Sequence, residues 1–208
     1  MSAALQQPSK IYRYFGFGSN VLPSTMRALR NIEPINATAA VLPNYELRFD
    51  GPGGRMGEPS AAFVQKSIRQ GSSQSRVHGV LYALTDDDFA KVGRTEGVPF
   101  GYRWERCSVF EYIGNGVNAG ANAIASGCSV EAFTLVPPKR IDTDIPPSSS
   151  YLDLIKQGAR SFGFDKDYQQ FLENCSTADN LLVKEGFSGP LLQAAEKLTQ
   201  TDRNYMLP

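Results

Sequence analysis

The hydrophobic pattern of this 208-residue chain changes from mainly strand-like to helical across the proline-containing stretch 137–150. Before this stretch, short runs of apolar, β-branched and aromatic residues alternate with turn residues, which is typical of strands. After it, apolar residues recur at helical spacing, first from Tyr151 to Ala159 and then from Tyr168 to Leu172. Strands first and helices last predict an α+β fold with a mixed, barrel-like β-sheet and flanking helices.

The same pattern gives the individual elements. Strands are predicted at 11–16, 37–42, 44–50, 61–66, 76–84, 102–112 and 128–136, and helices from Pro23, over 86–95, in two segments beyond residue 150, and near 189–199. A glycine- and asparagine-rich hairpin loop is predicted at 113–123. We expect a single domain over 11–200, with flexible tails at 1–10 and 201–208.

Composition excludes several classes of function. Lys plus Arg and Asp plus Glu both number 21, so no net field attracts nucleic acid or an anionic membrane. The sequence has no apolar run of about 18 residues and no basic-then-apolar signal at its start. Its three cysteines are few and widely spaced, as in reduced proteins. We therefore expect a cytoplasmic protein that binds neither nucleic acid nor membrane.

A single histidine limits the chemistry available. His78 lies in the apolar strand 76–84, where a structural role is expected, and any Ser–His–Asp or Cys–His mechanism would have to use it. A zinc site would need His78 and scattered cysteines without the usual short ligand spacing. No metal is expected, and carboxylates, hydroxyls, phenols and backbone N–H groups remain.

Residues 14–20 form the first candidate binding segment. A strand runs into glycines, then Ser19 and Asn20, and glycines there allow backbone N–H groups to point outward together and bind an anion. Taken alone, a strand–glycine–helix connection of this kind is more often an ordinary turn than a binding site. A dinucleotide fingerprint is disfavoured because Val21 occupies the third glycine position. Ser19 lacks the base that a nucleophile would need.

Glu96 is the second feature. The helix predicted at 86–95 has Thr85 as its N-cap, and Gly97 provides the stop. Glu96 is spaced three and four residues from Val92 and Phe89, so it continues the apolar stripe. The negative end of the helix dipole and the loss of water both favour the protonated acid, which suits proton transfer. The alternative is that Glu96 frays into solvent.

These motifs together resemble the gamma-glutamylcyclotransferase family. The matching segments, in the family's order, are Tyr14-Phe15-Gly16-Phe17-Gly18-Ser19-Asn20, Tyr45-Glu46-Leu47-Arg48-Phe49, Gly79-Val80-Leu81-Tyr82, Glu96-Gly97-Val98, and Pro146-Pro147-Ser148-Ser149-Ser150-Tyr151 followed by Gly158-Ala159. The resemblance runs from about Tyr14 to Phe171 and implies a gamma-glutamylcyclotransferase-like barrel.

The resemblance implies an enzyme of glutathione or related metabolism, of the lyase or acyltransferase type, that needs no cofactor. The α-amine of a γ-glutamyl group attacks its own γ-carbonyl, which forms 5-oxoproline and releases an amine or amino acid. Glu96 would be the general acid/base. The residues that would bind the small-molecule substrate are Tyr14, Phe15, Gly16, Phe17, Gly18, Ser19, Asn20 and Tyr151. A monomer or a homodimer is expected.

Three departures from the family pattern leave the substrate open. Phe17 replaces a tyrosine, Gly101 and Tyr102 are adjacent where one residue usually intervenes, and the glycine-rich stretch before Ala61-Ala62-Phe63 differs. The glutathione-specific branch, which has leucine where this chain has Asn20, is disfavoured. The alternatives are the same chemistry on a γ-glutamylated natural product or glutathione-derived conjugate, or a non-catalytic module that binds such ligands.

Overall fold

Five strands of the computed structural model close into a barrel in the order β1-β5-β2-β6-β7. The structure describes residues 10–50, 58–69, 75–114 and 116–178. The strands are β1 (Ile11–Gly16), β2 (Asn36–Pro43), β3 (Tyr45–Asp50), β4 (Ala61–Lys66), β5 (Arg76–Thr85), β6 (Arg103–Glu111) and β7 (Val130–Val136). Parallel pairing of Tyr14 with Phe133 joins β1 to β7, and the other barrel pairs are antiparallel. The predicted mixed barrel with flanking helices is confirmed.

Within the described ranges, five α-helices surround the strands. They are α1 (Pro23–Arg30), α2 (Asp86–Thr95), α3 (Ala119–Ser126), α4 (Ser149–Ser161) and α5 (Lys166–Glu173). A short 3₁₀ turn at Gly18–Val21 leads from β1 into α1. Among the described residues, no helix is both long and apolar enough to cross a membrane. The predicted helix near 189–199, the C-terminal tail and residues 1–9 lie outside the described residues.

The prediction of a hairpin loop at 113–123 is wrong, because α3 occupies part of that segment. Alanine, the strongest helix former, recurs through α3, and Ala119 and Ala123 are buried. The first turn is held from a distant part of the chain: the buried Asp165 carboxylate accepts hydrogen bonds from Gly120 N (2.9 Å) and Ala121 N (3.0 Å). The glycine and asparagine residues within 113–123 give no indication of the distant partner Asp165.

The β3–β4 hairpin lies outside the barrel and anchors the crossover at 137–148. Gln65 donates to the carbonyl of Ile141 (2.9 Å) and accepts from its N–H (2.8 Å), so a buried side-chain amide pairs with the crossover backbone. Further along, Ile145 N donates to Phe49 O at 2.9 Å. The crossover is thereby fixed where it delivers the start of α4.

Two glycines allow close approach of backbone segments. A Cβ at Gly79 in β5 would lie 2.4 Å from the carbonyl oxygen of Gly16, and a Cβ at Gly158 in α4 would lie 2.3 Å from Cγ2 of Val21. Val21 is buried, so it cannot move away freely. Gly158 thus determines how closely α4 packs on the 3₁₀ turn.

We predict that Gly158→Ala destabilises the fold by about 1–3 kcal/mol, because the added methyl overpacks the contact with Val21. Urea denaturation measures the loss. Gly116→Ala is the matched control, since a Cβ there meets nothing within 4 Å. Equal stabilities of the two variants would contradict the close approach.

His78 belongs to a buried polar cluster on the barrel. Its Nδ1 pairs with the Tyr112 hydroxyl, which also accepts from Asp165 N at 3.1 Å. Burial, with a smaller contribution from the charge of Arg76, lowers the pKa of His78 from 6.5 to about 3. The structural role expected for this histidine therefore agrees with a neutral imidazole held inside the protein.

The sign of the resulting pH dependence follows from that lowered pKa. Below its ordinary pKa of 6.5 the unfolded chain binds a proton at His78, which the native protein does not bind until about 3, so stability falls as the pH falls. Between about pH 5 and 6.5 the free energy of unfolding of the wild type should fall with decreasing pH more steeply than that of His78→Gln. The difference between the two slopes should approach about 1.4 kcal/mol per pH unit. Parallel slopes from denaturation titrations would refute a neutral buried His78.

Candidate active site

Glu96 is placed by the termination of α2. Thr85 caps the helix start by accepting from Asp88 N at 3.2 Å. At the other end Gly97, with φ of +71°, donates to Arg94 O, and Val98 N donates to Gly93 O at 2.9 Å. This is the Schellman arrangement that suits a glycine after the last helical residues. Glu96 is the C-cap residue, and its side chain is 15% exposed.

Aromatic packing fixes α2 against the barrel. The Phe89 ring stacks on Tyr12, with centroids 4.4 Å apart, and on Trp104, at 4.3 Å. Trp104 in turn meets Tyr14 edge to face at 5.8 Å. A Cβ at Gly93 would lie 3.3 Å from the Trp104 indole nitrogen, so the last turn of α2 lies close to the β6 surface. These contacts direct Glu96 toward Tyr14 rather than toward solvent.

Two donors converge on one oxygen of Glu96. Asn20 Nδ2 donates to Oε1 at 2.8 Å, and an Nη of Arg30 forms an ion pair with the same oxygen. The Arg30 side chain is 8% exposed, and Asn20 is buried. Neither bond uses Oε2. The Glu96 carboxyl group therefore lies in direct contact with a mostly buried guanidinium.

Asn20 is itself held from two sides. Its Nδ2 also donates to the Tyr14 hydroxyl at 2.9 Å, and its main-chain carbonyl oxygen accepts from the Tyr82 hydroxyl at 2.8 Å. Burial, followed by the negative charge of Glu96, raises the pKa of Tyr14 well above its ordinary value. Tyr14 is therefore a neutral phenol that accepts from Asn20 and keeps its own proton for donation.

The 3₁₀ turn brings Tyr151 to the same place. Gly18 has φ of +60°, and a Cβ there would lie 2.9 Å from Cβ of Ala62 and 3.0 Å from the Tyr151 hydroxyl. That hydroxyl accepts from Ala62 N at 3.2 Å and is hydrogen-bonded by Ser19. Ser148, the N-cap of α4, fixes the start of the helix by accepting from Tyr151 N.

A third phenol lies in the same group. Tyr102 stacks on Phe63 at 4.6 Å and donates to Ala62 O at 2.9 Å. Burial raises the pKa of Tyr102 and of Tyr151, and the negative charge of Glu96 contributes to both. Three neutral phenols therefore surround one carboxylate.

The structure thus brings together most of the residues that the sequence analysis selected: Tyr14, Gly18, Ser19, Asn20, Glu96 and Tyr151. Phe15 is fully buried, and its ring lies 2.5 Å from the Cβ position of Gly79, so it packs away from Tyr14 across the strand. Phe17 is also part of the hydrophobic core. Gly16 contributes backbone, with its Cβ position 3.0 Å from Asn20 O.

Sequence reasoning missed Arg30 and left Tyr102 without a role. A basic residue in the last turn of a helix is common because it complements the helix dipole, so Arg30 gave no distinct signal. Its proximity to Glu96 depends on the angle at which α1 and α2 meet.

Two polar atoms of this cluster are buried and have no hydrogen-bond partner in the described part of the protein. They are Oδ1 of Asn20, an acceptor, and Nε of Arg30, a donor. Unpaired buried groups are rare and often mark a place for water or ligand. No group of three or more His, Cys, Asp or Glu side chains that could hold a metal occurs among the described residues.

Comparison with known proteins shows which family the sequence resembles. Residues 14–151 match the family model described as gamma-glutamyl cyclotransferase, AIG2-like. Gamma-glutamyl cyclotransferase aclK of Aspergillus oryzae is 25% identical over 183 residues, which cover 81% of this chain and 64% of that protein. The gamma-glutamylcyclotransferase of Bos taurus is 24% identical over 174 residues, which cover 83% of each chain.

The fungal relatives are longer than the part that this chain matches. Gamma-glutamyl cyclotransferase gliK of Claviceps purpurea is 26% identical over 146 residues, and the match covers 60% of its length. The chain therefore spans less than two thirds of the fungal relatives.

Solved structures agree on the fold. A human protein titled as uncharacterized superposes with a TM-score of 0.68 at 21% identity, covering 89% of this chain and 98% of the other. A structure named gamma-glutamyl cyclotransferase gives a TM-score of 0.66 at 20% identity, with 90% and 99% covered. Because the family model matches well over half of the sequence, this chain belongs to the gamma-glutamyl cyclotransferase, AIG2-like family.

Proposed function

We propose that the protein is an intramolecular cyclotransferase that converts a γ-glutamyl compound into 5-oxoproline and a free amine or amino acid. The observation that carries the proposal is the Glu96 carboxylate, held at Oε1 by Asn20 and Arg30 inside the family-matched region 14–151. Such an anchored carboxylate, mostly shielded from water, suits a reaction limited by proton transfer.

The first step is deprotonation of the nucleophile. An α-ammonium group has a pKa of about 7.7–8.0, so most of it is protonated at neutral pH and cannot attack. We assign Oε2 of Glu96 as the base, since neither Asn20 nor Arg30 binds that oxygen. The proton moves from nitrogen to Oε2, and the neutral amine gains a free electron pair.

The amine then attacks the γ-carbonyl of the same molecule. A C–N bond forms, the carbonyl electron pair moves to oxygen, and a tetrahedral intermediate results. Because both groups belong to one molecule, the pocket mainly has to fold the glutamyl chain into a reactive shape. We assign stabilisation of the oxyanion to backbone N–H groups at the glycine-rich turn 16–19, where one well-placed donor contributes about 3–4 kcal/mol.

Collapse of the intermediate releases the product. The bond from the γ-carbon to the original amide nitrogen breaks, and the protonated Glu96 returns its proton to that nitrogen. The carboxylate then takes the second proton from the attacking nitrogen, which leaves the lactam N–H of 5-oxoproline, and passes that proton to the released amine. The enzyme is regenerated without an external acid, base or co-reactant. One carboxyl group can serve both steps because its charge alternates between them.

The phenols suit substrate orientation. Tyr14 accepts from Asn20, and Tyr151 accepts from Ala62 N, so the O–H of each is available to donate to a substrate oxygen. Both keep their protons at neutral pH, because burial raises the pKa of each. The proposed substrate contacts are therefore Tyr14, Tyr151 and the backbone from Gly16 to Asn20, with Phe15 and Phe17 shaping the turn from the core side.

The proposal is tested with Glu96→Gln, which keeps the shape of the side chain and cannot carry the proton. Release of 5-oxoproline from a panel of γ-glutamyl dipeptides and bulkier γ-glutamyl conjugates should fall by about 10²–10⁴-fold, the usual contribution of a general acid/base. Glu33→Gln is the control, because that carboxylate is 66% exposed and pairs with Arg27 away from Glu96.

An unchanged rate in Glu96→Gln would exclude the proton-transfer role. Calorimetric binding of the γ-glutamyl compounds by the wild type without any 5-oxoproline release would instead favour a binding module. The panel also identifies the amine that leaves, since the preferred substrate is the one with the highest kcat/KM.

A further inference from the structure

We propose that Arg30 is a positioning residue for the Glu96 carboxylate, a role that rests on the proposed function. Arg30 fixes Oε1 by an ion pair and leaves Oε2 as the oxygen that exchanges the proton. The family motifs in the sequence do not include Arg30, and the inference rests on its contacts alone.

The position of Glu96 is electrostatically unfavourable for an anion. α1 ends at Arg30, α2 ends at Thr95, and their C-termini are tied together by Lys91, whose Nζ donates to Asn31 O at 3.3 Å. The C-terminal end of a helix carries a partial negative charge, so the Glu96 carboxylate stands where two such ends meet. An uncompensated anion there would be unfavourable, and the guanidinium of Arg30 offsets it.

The two donors to Oε1 also restrict the geometry of the Glu96 carboxyl group. Asn20 and Arg30 approach the same oxygen, and Asn20 is fixed through Tyr14 and Tyr82. With Oε1 held by two donors, the carboxyl group has little freedom to rotate. The two carboxylate oxygens then have different tasks: Oε1 anchors the group, and Oε2 exchanges protons with the α-nitrogen and with the leaving nitrogen.

An arginine suits this buried position better than a lysine would. Arg30 is mostly buried, and its Nε lacks a partner within the described residues, so the side chain is not placed there to maximise hydrogen bonding. A guanidinium stays protonated in such a place, whereas a buried lysine readily loses its charge. A permanent positive charge is what a carboxylate needs if it must start each cycle as a base.

The test is steady-state kinetics of Arg30→Met and Arg30→Lys, with Arg27→Met as the matched control. Arg27 lies on the same helix, one turn earlier, and pairs with the exposed Glu33. Arg30→Met should lower kcat by about 10²-fold, the typical cost of misplacing a catalytic group, while KM changes little. Arg30→Lys should recover part of kcat, and Arg27→Met should match the wild type.

A double variant separates positioning from an independent role. If Arg30 acts through Glu96, adding Arg30→Met to Glu96→Gln should cost little further activity, because residues that act as a unit are not additive. Additive losses, or a rise in KM with kcat unchanged, would overturn the proposal and assign Arg30 to binding the substrate directly. Circular dichroism and the melting temperature verify that each variant is folded.

Failure of Arg30's role is distinguishable from failure of the proposed function. Absence of 5-oxoproline release by the wild type rejects the proposed activity, and full activity of Glu96→Gln rejects the proton-transfer role of Glu96. Neither result involves a variant of Arg30. A crystal structure of Arg30→Met, the variant that removes the positive charge, tests the positioning without any activity measurement: we expect a displaced or disordered Glu96 carboxyl group. A carboxyl group unchanged in place, still bound by Asn20, would overturn the inference.

Discussion

The hydrogen bonds of Asn20 join the parts of the site. Its side-chain Nδ2 donates both to the Tyr14 hydroxyl on β1 and to Oε1 of Glu96 at the end of α2. Its main-chain carbonyl oxygen accepts a hydrogen bond from Tyr82 on β5. A residue in a 3₁₀ turn thereby fixes two barrel strands and one helix terminus around a single carboxylate. Because the amide must present N–H to both partners, its Oδ1 points elsewhere and stays unpaired in the described structure.

The fold supplies the distances that this bridge requires. Gly79 lets β5 pass close to the backbone of Gly16, and Gly158 lets α4 approach Val21, so the turn at 18–21 is enclosed by the barrel on one side and α4 on the other. The Phe89 and Trp104 rings hold α2 at the angle that directs Glu96 inward. The geometry of the Glu96 cluster therefore depends on packing at positions outside the cluster.

Local pattern was sufficient for the strands, for α2 and for the inward register of Glu96, because each depends on periodicity and caps within a few residues. It was insufficient for α3, whose first turn is completed by Asp165 more than forty residues later. Arg30 was missed for a similar reason: its meaning depends on where two helix ends meet, and a basic residue at a helix C-terminus is ordinary in any sequence. Contacts between distant elements cannot be deduced from either element alone.

The most direct measurement is a crystal structure of the protein with a γ-glutamyl analogue that retains the α-amine and carries an uncleavable group in place of the amide. The account predicts the α-nitrogen within about 2.6–3.2 Å of Oε2 of Glu96, with Oε1 still bound by Asn20 and Arg30. An α-nitrogen bound elsewhere, with the Glu96 carboxylate contacting no part of the ligand, would contradict it.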